Sequence, residues 1–320
     1  MARPRPRPRR ALTVGPHGLK ARCRFLLCCG RSLEKDLCCS WLSWLNFLNR
    51  IKSWKGQEHK GDFDFCLDHV TVNGSGLLGD FIDQADEELC IACTYGKQLE
   101  VTKRIKYLMK GRNPESPTPR VIPSDLDVKY EKMIGDYPKG GIAQLILMGL
   151  ILKEQGILNE SCTCIYKASN VSVIPEKDPA RIVAALADGF PLNAGVIHGK
   201  KLSQLRYCQA YKAPSLRRVI QKRDMGRLKG IPGHAVLLVG AGRKEGKLYY
   251  YFMNSWDEFA VRKNNRGEIV GQSIGKISAN RLYRNVIRLS RFKEAETAES
   301  LLPQPLPVTA DCRNVVLLVP

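Results

Sequence analysis

The stretch Gly233-His234-Ala235-Val236-Leu237-Leu238-Val239-Gly240 is the most informative segment of this chain. Its run of apolar residues, bounded by glycines, predicts a buried strand over 235–239. A single histidine stands directly in front of that strand. A lone histidine in such a place is more often structural than catalytic. The interpretation of His234 therefore depends on what the rest of the chain places beside it.

Two other segments carry side chains that complement an imidazole. Cys90 precedes His234 by 144 residues, and Asn254 follows His234 by 20. A thiol is a strong nucleophile only as the thiolate, so it needs a nearby base. An imidazole acting as that base needs a third group that fixes its tautomer and orientation. Together these three side chains predict a nucleophilic thiol site.

Over roughly residues 61–290 the chain resembles the papain-like cysteine peptidases. The stretch after His234 is close to the family's His-Ala-Val-x-x-Val-Gly-Tyr-Gly, and Asn254-Ser255-Trp256 begin as the family's Asn-Ser-Trp-Gly does. The resemblance implies a cysteine endopeptidase that hydrolyses polypeptides. It implies that Cys90 is the nucleophile, that His234 is the base and later the acid, and that Asn254 holds the imidazole. Gln84, six residues before Cys90, is implied as a donor to the oxyanion.

The resemblance also implies an α+β architecture, a papain-like two-lobed fold with a helical lobe, a β-barrel lobe and the active-site cleft between them. The order of the elements predicted by periodicity agrees with that layout. Helices are predicted over Cys90–Met109, Gly141–Leu152 and Pro179–Ala187. Strands are predicted over Leu192–Ile197, Ala235–Val239, Leu248–Met253 and Asn285–Leu289, with a hairpin loop at Arg243–Gly246.

Composition predicts three segments. Residues 1–60 read as a basic, Pro- and Arg-rich extension without regular order. Residues 61–291 form the peptidase domain, in which the prolines of 114–123 predict a loop. Residues 292–320 read as a tail. The chain has 51 Lys and Arg against 31 Asp and Glu, a net charge of +20, which is compatible with anionic partners.

The choice of nucleophile has an alternative, because Cys93 lies three residues after Cys90. With Cys90 as nucleophile, Gln84 stands at the family's glutamine position without a gap. With Cys93 as nucleophile, Glu87 takes that position, and its carboxylate would oppose a developing oxyanion. The first register is therefore preferred.

Several positions depart from the family pattern. Ile91 stands where the family has a tryptophan after the nucleophile, and Asp257 replaces the glycine of Asn-Ser-Trp-Gly. The paired cysteines of the family's helical half fall at Glu87 and Pro138, so the usual disulfides of that half are expected to be absent. These departures favour an alternative function, that of a catalytically weak or inactive papain-like homologue acting as a binding protein.

Other functional classes find less support. Cys90 and Cys93 have no second pair at zinc spacing, so neither a metal nor another cofactor is expected. The chain has no run of eighteen or more apolar residues, so no membrane-spanning helix is predicted. The absence of a basic stripe interleaved with aromatics disfavours a nucleic-acid partner, and a basic arm over 1–24 that binds nucleic acid ranks last. The expected partners are polypeptide substrates and, by resemblance, protein inhibitors of the family.

Localisation stays open at the level of sequence. The family resemblance suggests a lysosome, a vacuole or the extracellular space. No clear signal peptide is present, since Phe25-Leu26-Leu27-Cys28-Cys29 is too short for its apolar region. The expected loss of disulfide cysteines also weakens the case for an oxidising compartment.

Overall fold

The computed structural model describes residues 61–72, 75–80, 82–85, 88–109, 120–135, 141–162, 164–256, 259–267, 269–271 and 273–296. The predicted extension over 1–60 lies outside these residues, as do positions 297–320 of the predicted tail. Pro138, Asp257 and most of the predicted loop over 114–123 also lie outside them.

The described residues form five α-helices: α1 (Cys90–Met109), α2 (Pro123–Ile134), α3 (Gly141–Glu154), α4 (Pro179–Ala187) and α5 (Leu216–Asp224), with 3-10 turns at Leu67–His69 and Ala279–Arg281. Local chemistry sets several of their ends. The Asp178 side chain accepts from the Arg181 N–H at the start of α4. The proline in the first turn has no N–H, so it adds no donor that would lack a partner there. Gly156 follows α3 with φ +79°, a conformation that glycine adopts without a Cβ penalty.

Thirteen strands lie in the described part of the chain: β1 (Phe63–Cys66), β2 (Thr71–Val72), β3 (Ser75–Gly76), β4 (Ile157–Leu158), β5 (Cys164–Ile174), β6 (Leu192–Ile197), β7 (Ala210–Tyr211), β8 (Gly233–Lys244), β9 (Lys247–Met253), β10 (Arg262–Lys263), β11 (Ile269–Gly271), β12 (Ile274–Ser278) and β13 (Leu282–Glu296). Nine of them share one sheet in the order β4-β5-β13-β6-β8-β9-β12-β7, with β1 paired to β8. Pairing is antiparallel in that sheet except between β12 and β7.

The glycine that ends the opening motif has a structural reason. At Gly240 the register of β8 against β9 shifts, and β1 pairs alongside through Cys66. A Cβ at Gly240 would run into the backbone of Phe65 and lie 2.7 Å from the Cα of Cys66. Because a side chain cannot fit there, glycine permits the close approach of β1 to β8. The β8–β9 hairpin then turns at Glu245-Gly246, both with positive φ, as a two-residue hairpin requires.

The buried side chains form three hydrophobic clusters, of which the smallest joins α1 to β8 and β9. One cluster joins α1, α2 and α3 to β5 and β13, and includes Tyr95, Tyr130 and Met148. A second cluster lies among α4, β6, β8 and β9, and includes Tyr250 and Phe252. Ala235 of β8 belongs to the helical cluster, so the first residues of β8 pack directly against the helices. That contact brings the start of β8 close to α1, while the side chain of His234, the preceding residue of the strand, lies on the other face of the sheet.

The predicted mixture of helices and strands is confirmed. Helix α4 and strand β6 have the predicted bounds, and α1 spans the predicted Cys90–Met109. The predicted loop over 114–123 is wrong at its end, since Pro123 begins α2, where a fixed φ and a missing donor suit the first helical turn.

The predicted order, with all helices before the strands, is too simple. Strand β5 precedes helix α4, and helix α5 lies between strands β7 and β8. The predicted hairpin loop at Arg243–Gly246 narrows to two residues, because β8 continues to Lys244 and β9 starts at Lys247. Strand β13 runs on to Glu296, so it takes in the first residues of the predicted tail.

None of the helices in the described ranges is long and apolar enough to cross a membrane. The same ranges hold no group of three or more histidine, cysteine and acidic side chains that could bind a metal ion. Within them, Cys66, Cys90, Cys162, Cys164 and Cys208 carry free thiols.

Candidate active site

Cys90 is the first residue of α1 and is half-buried. Its thiol accepts from the backbone N–H groups of Ala235 and Ile91 and of Cys90 itself. The N–H groups of a first helical turn have no partners within the helix, and the helix dipole favours negative charge there. The contact with Ala235 also places the sulfur beside the first residues of β8, next to His234.

Cys93 lies one turn further along α1 and is 1% exposed. Its backbone N–H donates to the carbonyl of Leu89 at 2.9 Å, as the start of the helix requires. A substrate carbonyl could not reach a sulfur enclosed in this way. Of the two candidate nucleophiles, only Cys90 combines an accessible position with the helix N-terminus.

His234 and Asn254 are in direct contact. The imidazole Nε2 lies 2.5 Å from Asn254 Oδ1, and both side chains are buried, at 7% and 2% exposed. An amide oxygen accepts hydrogen bonds, so Nε2 must carry the proton and Nδ1 becomes the proton acceptor. The backbone N–H of Asn254 donates to the Ser273 carbonyl at 2.8 Å, which fixes the start of this segment. Asn254 thereby selects one tautomer and one ring orientation.

Trp256 covers the same imidazole from another side. The ring centroids of Trp256 and His234 are 4.5 Å apart, at an interplanar angle of 33°. An aromatic ring at this distance excludes water from the His234–Asn254 hydrogen bond, which strengthens in a medium of lower dielectric.

His198 completes the ring cluster, and no sequence pattern singled it out. Its centroid lies 5.4 Å from that of Trp256 and 6.3 Å from that of His234. His198 directly follows β6, and β6 pairs with β8 through Val196 and His234. The proximity of the two histidines depends on that strand register, so the local sequence could not predict it.

Gln84 joins the site through Ser255. Its backbone N–H donates to the Ser255 carbonyl at 2.9 Å, and its side-chain Oε1 accepts from Ser255 Oγ at 2.6 Å. Because the amide oxygen is taken by a hydroxyl donor, the orientation of the amide is fixed, with its nitrogen on the opposite side. The structure thus pairs His234 with Asn254, links Gln84 to the segment after β9 through Ser255, and places Cys90 beside the backbone of Ala235.

Burial controls the protonation of both reactive groups. Removal from water raises the pKa of the Cys90 thiol, and the N–H donors of Ala235 and Ile91 only partly offset it. Burial also lowers the pKa of His234 to about 4, against the opposing effect of the Asn254 hydrogen bond, with His198 contributing a further small decrease. The two shifts act in the same direction, since both disfavour a charged thiolate–imidazolium pair in the free protein.

Comparison with known proteins gives a distant likeness. No family model and no curated protein matches the chain. A structure of the mite allergens Blo t 1 and Der p 1 matches at 12% identity and a TM-score of 0.49, over 74% of this chain and 73% of that one. Xylellain, a cysteine protease from Xylella fastidiosa, matches at 15% identity and 0.44, over 66% and 82%. Procathepsin B S9 from Trypanosoma congolense matches at 15% and 0.45, over 75% and 81%.

These proteins are papain-like cysteine proteases, the family that the motifs resemble. With TM-scores below 0.5 these likenesses carry no functional argument, which depends on the contacts within this chain.

Proposed function

We propose that this protein is a cysteine-type peptidase that hydrolyses peptide bonds with Cys90, His234, Asn254 and Gln84. The observation that carries the proposal is the buried 2.5 Å contact between His234 Nε2 and Asn254 Oδ1, beside a thiol at a helix N-terminus. A structural histidine has no need of an enclosed amide partner, an aromatic cover and a neighbouring accessible thiol at the same time. All three are what thiol-based acyl transfer requires.

The reaction begins with proton transfer. As the Cys90 sulfur attacks the scissile carbonyl carbon, its proton passes to Nδ1 of His234, the nitrogen left basic by the contact with Asn254. The carbonyl oxygen becomes an oxyanion, which accepts from the Gln84 amide and the backbone N–H of Cys90. The imidazolium then protonates the leaving amine, and the C–N bond breaks to give a thioester. Water, deprotonated by His234, attacks the thioester and releases the carboxylate and the thiol.

The neutral resting state shapes this mechanism. A raised thiol pKa and a lowered imidazole pKa make the ion pair unfavourable before substrate arrives. The proton therefore moves during attack, with His234 acting as a general base rather than as a standing cation. Activity should fall below about pH 4, as His234 takes up a proton and can no longer accept the one from Cys90.

We also propose that the cleft separates two lobes within one peptidase domain, which begins near Gly61. The helical lobe would centre on α1, α2 and α3, and the β lobe on β6, β8 and β9. Support comes from the two larger hydrophobic clusters of these regions and from the origin of the thiol on α1 and of the imidazole on β8, while a third cluster joins α1 to β8 and β9. The domain would extend past residue 291, because β13 continues to Glu296.

The alternative of a non-catalytic binding protein draws on one specific observation, the raised pKa of the Cys90 thiol, which makes the resting nucleophile weaker. Hydrolysis of a fluorogenic peptide library by the full chain distinguishes the two functions. We expect cleavage by the wild type and by Cys93→Ala, and its loss in Cys90→Ala. Uncleaved peptides with all three folded proteins would favour the binding protein.

A further inference from the structure

Four cations from three elements converge on one concavity away from the candidate active site. Lys212 follows β7, Arg218 and Lys222 lie on α5, and Arg281 ends the second 3-10 turn. They line a cavity of about 480 Å³, whose other walls are Ala213, Pro214, Ser215 and Val219. We name this concavity, defined by its four cations, the cationic pocket.

Within the described part of the chain, the cationic pocket contains no counter-charge. No acidic side chain there lines it, and none of its four cations forms an ion pair with another described residue. The nearest acid in sequence, Asp224, pairs with Arg223 at 2.9 Å instead. Residues 199–229 hold ten lysines and arginines against that one aspartate. Water and salt screen the repulsion among these four exposed charges, and a bound multivalent anion would lower it further.

The shape of the cationic pocket restricts the anion. Cavities that take small molecules measure roughly 300–1,000 Å³, and this one lies within that range. Its floor is apolar, because Ala213 and Val219 are buried side chains. No aromatic side chain lines it, so it offers no platform on which a nucleobase would stack. A small carbon scaffold that carries several charged groups fits both the floor and the rim.

The donors favour oxygen anions with several acceptors each. Arginine presents a planar fork that binds phosphate oxygens in pairs, and lysine adds a mobile point charge. The first turn of α5 faces the same region, since Ser215 caps it by accepting from the Arg218 N–H at 3.2 Å. The positive end of the helix dipole therefore adds to the field of the side chains.

We propose that the cationic pocket binds a small, multiply phosphorylated anion through Lys212, Arg218, Lys222 and Arg281. The ligand is either a free polyphosphorylated molecule or the phosphorylated headgroup of a lipid, since both present the same groups. This binding is independent of the peptidase reaction, because none of the four cations of the cationic pocket belongs to the candidate active site.

The test is titration of the full chain with inorganic tripolyphosphate by calorimetry at 150 mM salt. We expect saturable binding to one site and a loss of affinity of about tenfold or more in Arg218→Gln/Lys222→Gln, because two charge-assisted contacts disappear. The matched control Lys200→Gln/Arg206→Gln removes one lysine and one arginine from exposed positions outside the cationic pocket. It should keep the affinity within about twofold, and the charge-preserving Arg218→Lys/Lys222→Arg should keep most of it.

Two results would overturn the proposal: no saturable binding by the wild type, or an equal loss in the pocket variant and its control. The second would show a diffuse effect of net charge. The thermal unfolding midpoint of each variant verifies that it is folded. If the glutamine variant does not fold, the affinity of the charge-preserving variant is compared with that of the wild type instead. Flotation with phosphatidylcholine vesicles containing phosphorylated inositol lipid then separates the sources. If vesicle binding depends on the pocket cations, the ligand is a lipid headgroup. If the vesicles do not bind, the ligand is a free anion.

Discussion

Asn254 and Trp256 restrain the imidazole of His234 from two directions. The amide oxygen holds Nε2 at 2.5 Å, and the indole lies over the ring at a centroid distance of 4.5 Å. Each restraint alone could occur in an inert core. Their combination leaves only Nδ1 able to take a proton, which is the arrangement that a base beside a thiol requires.

Gln84 offers the sharpest test of a single role in this site. In Gln84→Glu the carboxylate keeps an oxygen that can accept from Ser255 Oγ, while the amide donor is replaced by negative charge. We expect peptide hydrolysis to fall by about 10²–10³-fold, the usual effect of losing one oxyanion donor. The rate of alkylation of Cys90 by iodoacetamide should stay within about twofold, because that reaction forms no oxyanion.

A Gln84→Glu protein that hydrolyses peptides at the wild-type rate would remove Gln84 from the mechanism. An equal loss of hydrolysis and of alkylation would mean that the substitution disturbs the thiol itself. Comparison of the two rates in Gln84→Glu and Gln84→Ala distinguishes these outcomes.

The depressed pKa of His234 predicts a pH dependence of stability. An unfolded histidine titrates near pH 6.5, whereas the folded one titrates at about 4, so between these values the unfolded state binds more protons. The stability is therefore complete above about pH 6.5 and is lost as the pH falls towards 4. Between pH 7 and 4.5 this one group should lower the free energy of unfolding by roughly 2–3 kcal/mol.

Urea unfolding at both pH values checks this in the wild type, in His234→Gln and in His198→Gln. The difference between the two pH values should shrink by that amount in His234→Gln. His198 is exposed, so its removal should leave most of the difference in place. An unchanged pH dependence in His234→Gln would contradict the buried, neutral imidazole.

At the scale of elements, α1 positions Cys90, the proposed nucleophile, because the helix is held from two sides. Gly149 of α3 lies against Tyr95, whose hydroxyl donates to the Leu145 carbonyl at 2.5 Å. On the other side, the Asn193 amide of β6 donates to Gln98 Oε1 at 2.8 Å, in full burial. The helix is thus tied to another helix and to the sheet that carries the imidazole.

Gly149→Ala tests the helical contact. A Cβ at Gly149 would lie 2.7 Å from the Tyr95 hydroxyl and 3.2 Å from Val171 Cγ1. Alanine normally stabilises a helix relative to glycine by roughly 0.5–1 kcal/mol, so a destabilisation can come only from overpacking. We expect a net loss of about 1–3 kcal/mol in the free energy of unfolding, measured in urea at pH 7.

The control for this prediction is Gly230→Ala, because a Cβ at Gly230 meets no atom within 4 Å. Its free energy of unfolding should change by less than about 0.5 kcal/mol. A Gly149→Ala protein as stable as the control would mean that α1 and α3 are not closely packed at Tyr95.

Local signals explain which elements were predictable. Helix α4 has a capping aspartate, an initial proline and an apolar face, and its predicted bounds agree with the structure. Helix α2 buries only Leu126 and Tyr130, and α5 buries only Val219, so few apolar side chains mark either helix in the sequence. Strand β5 was missed because its stability comes from pairing with β13, more than a hundred residues away in sequence.

At the scale of the whole molecule, the candidate site is assembled from segments that lie far apart in the chain. Cys90, His234 and Asn254 were predictable because their spacing and neighbouring residues form a recognisable set. The contact of His198 with Trp256 was not, since it depends on the register between β6 and β8. The pKa shifts of the thiol and the imidazole could not be predicted from the sequence either, because they follow from burial and not from residue type.

The most direct test of the proposed nucleophile is covalent labelling of the full chain by a papain-type epoxide inhibitor, read by peptide mass spectrometry. Cys90→Ala and Cys93→Ala serve as the matched pair of controls. We predict modification at Cys90 in the wild type and in Cys93→Ala, and none in Cys90→Ala. Modification at Cys93, or no modification of folded wild-type protein, would contradict an assembled thiol site with Cys90 as its nucleophile.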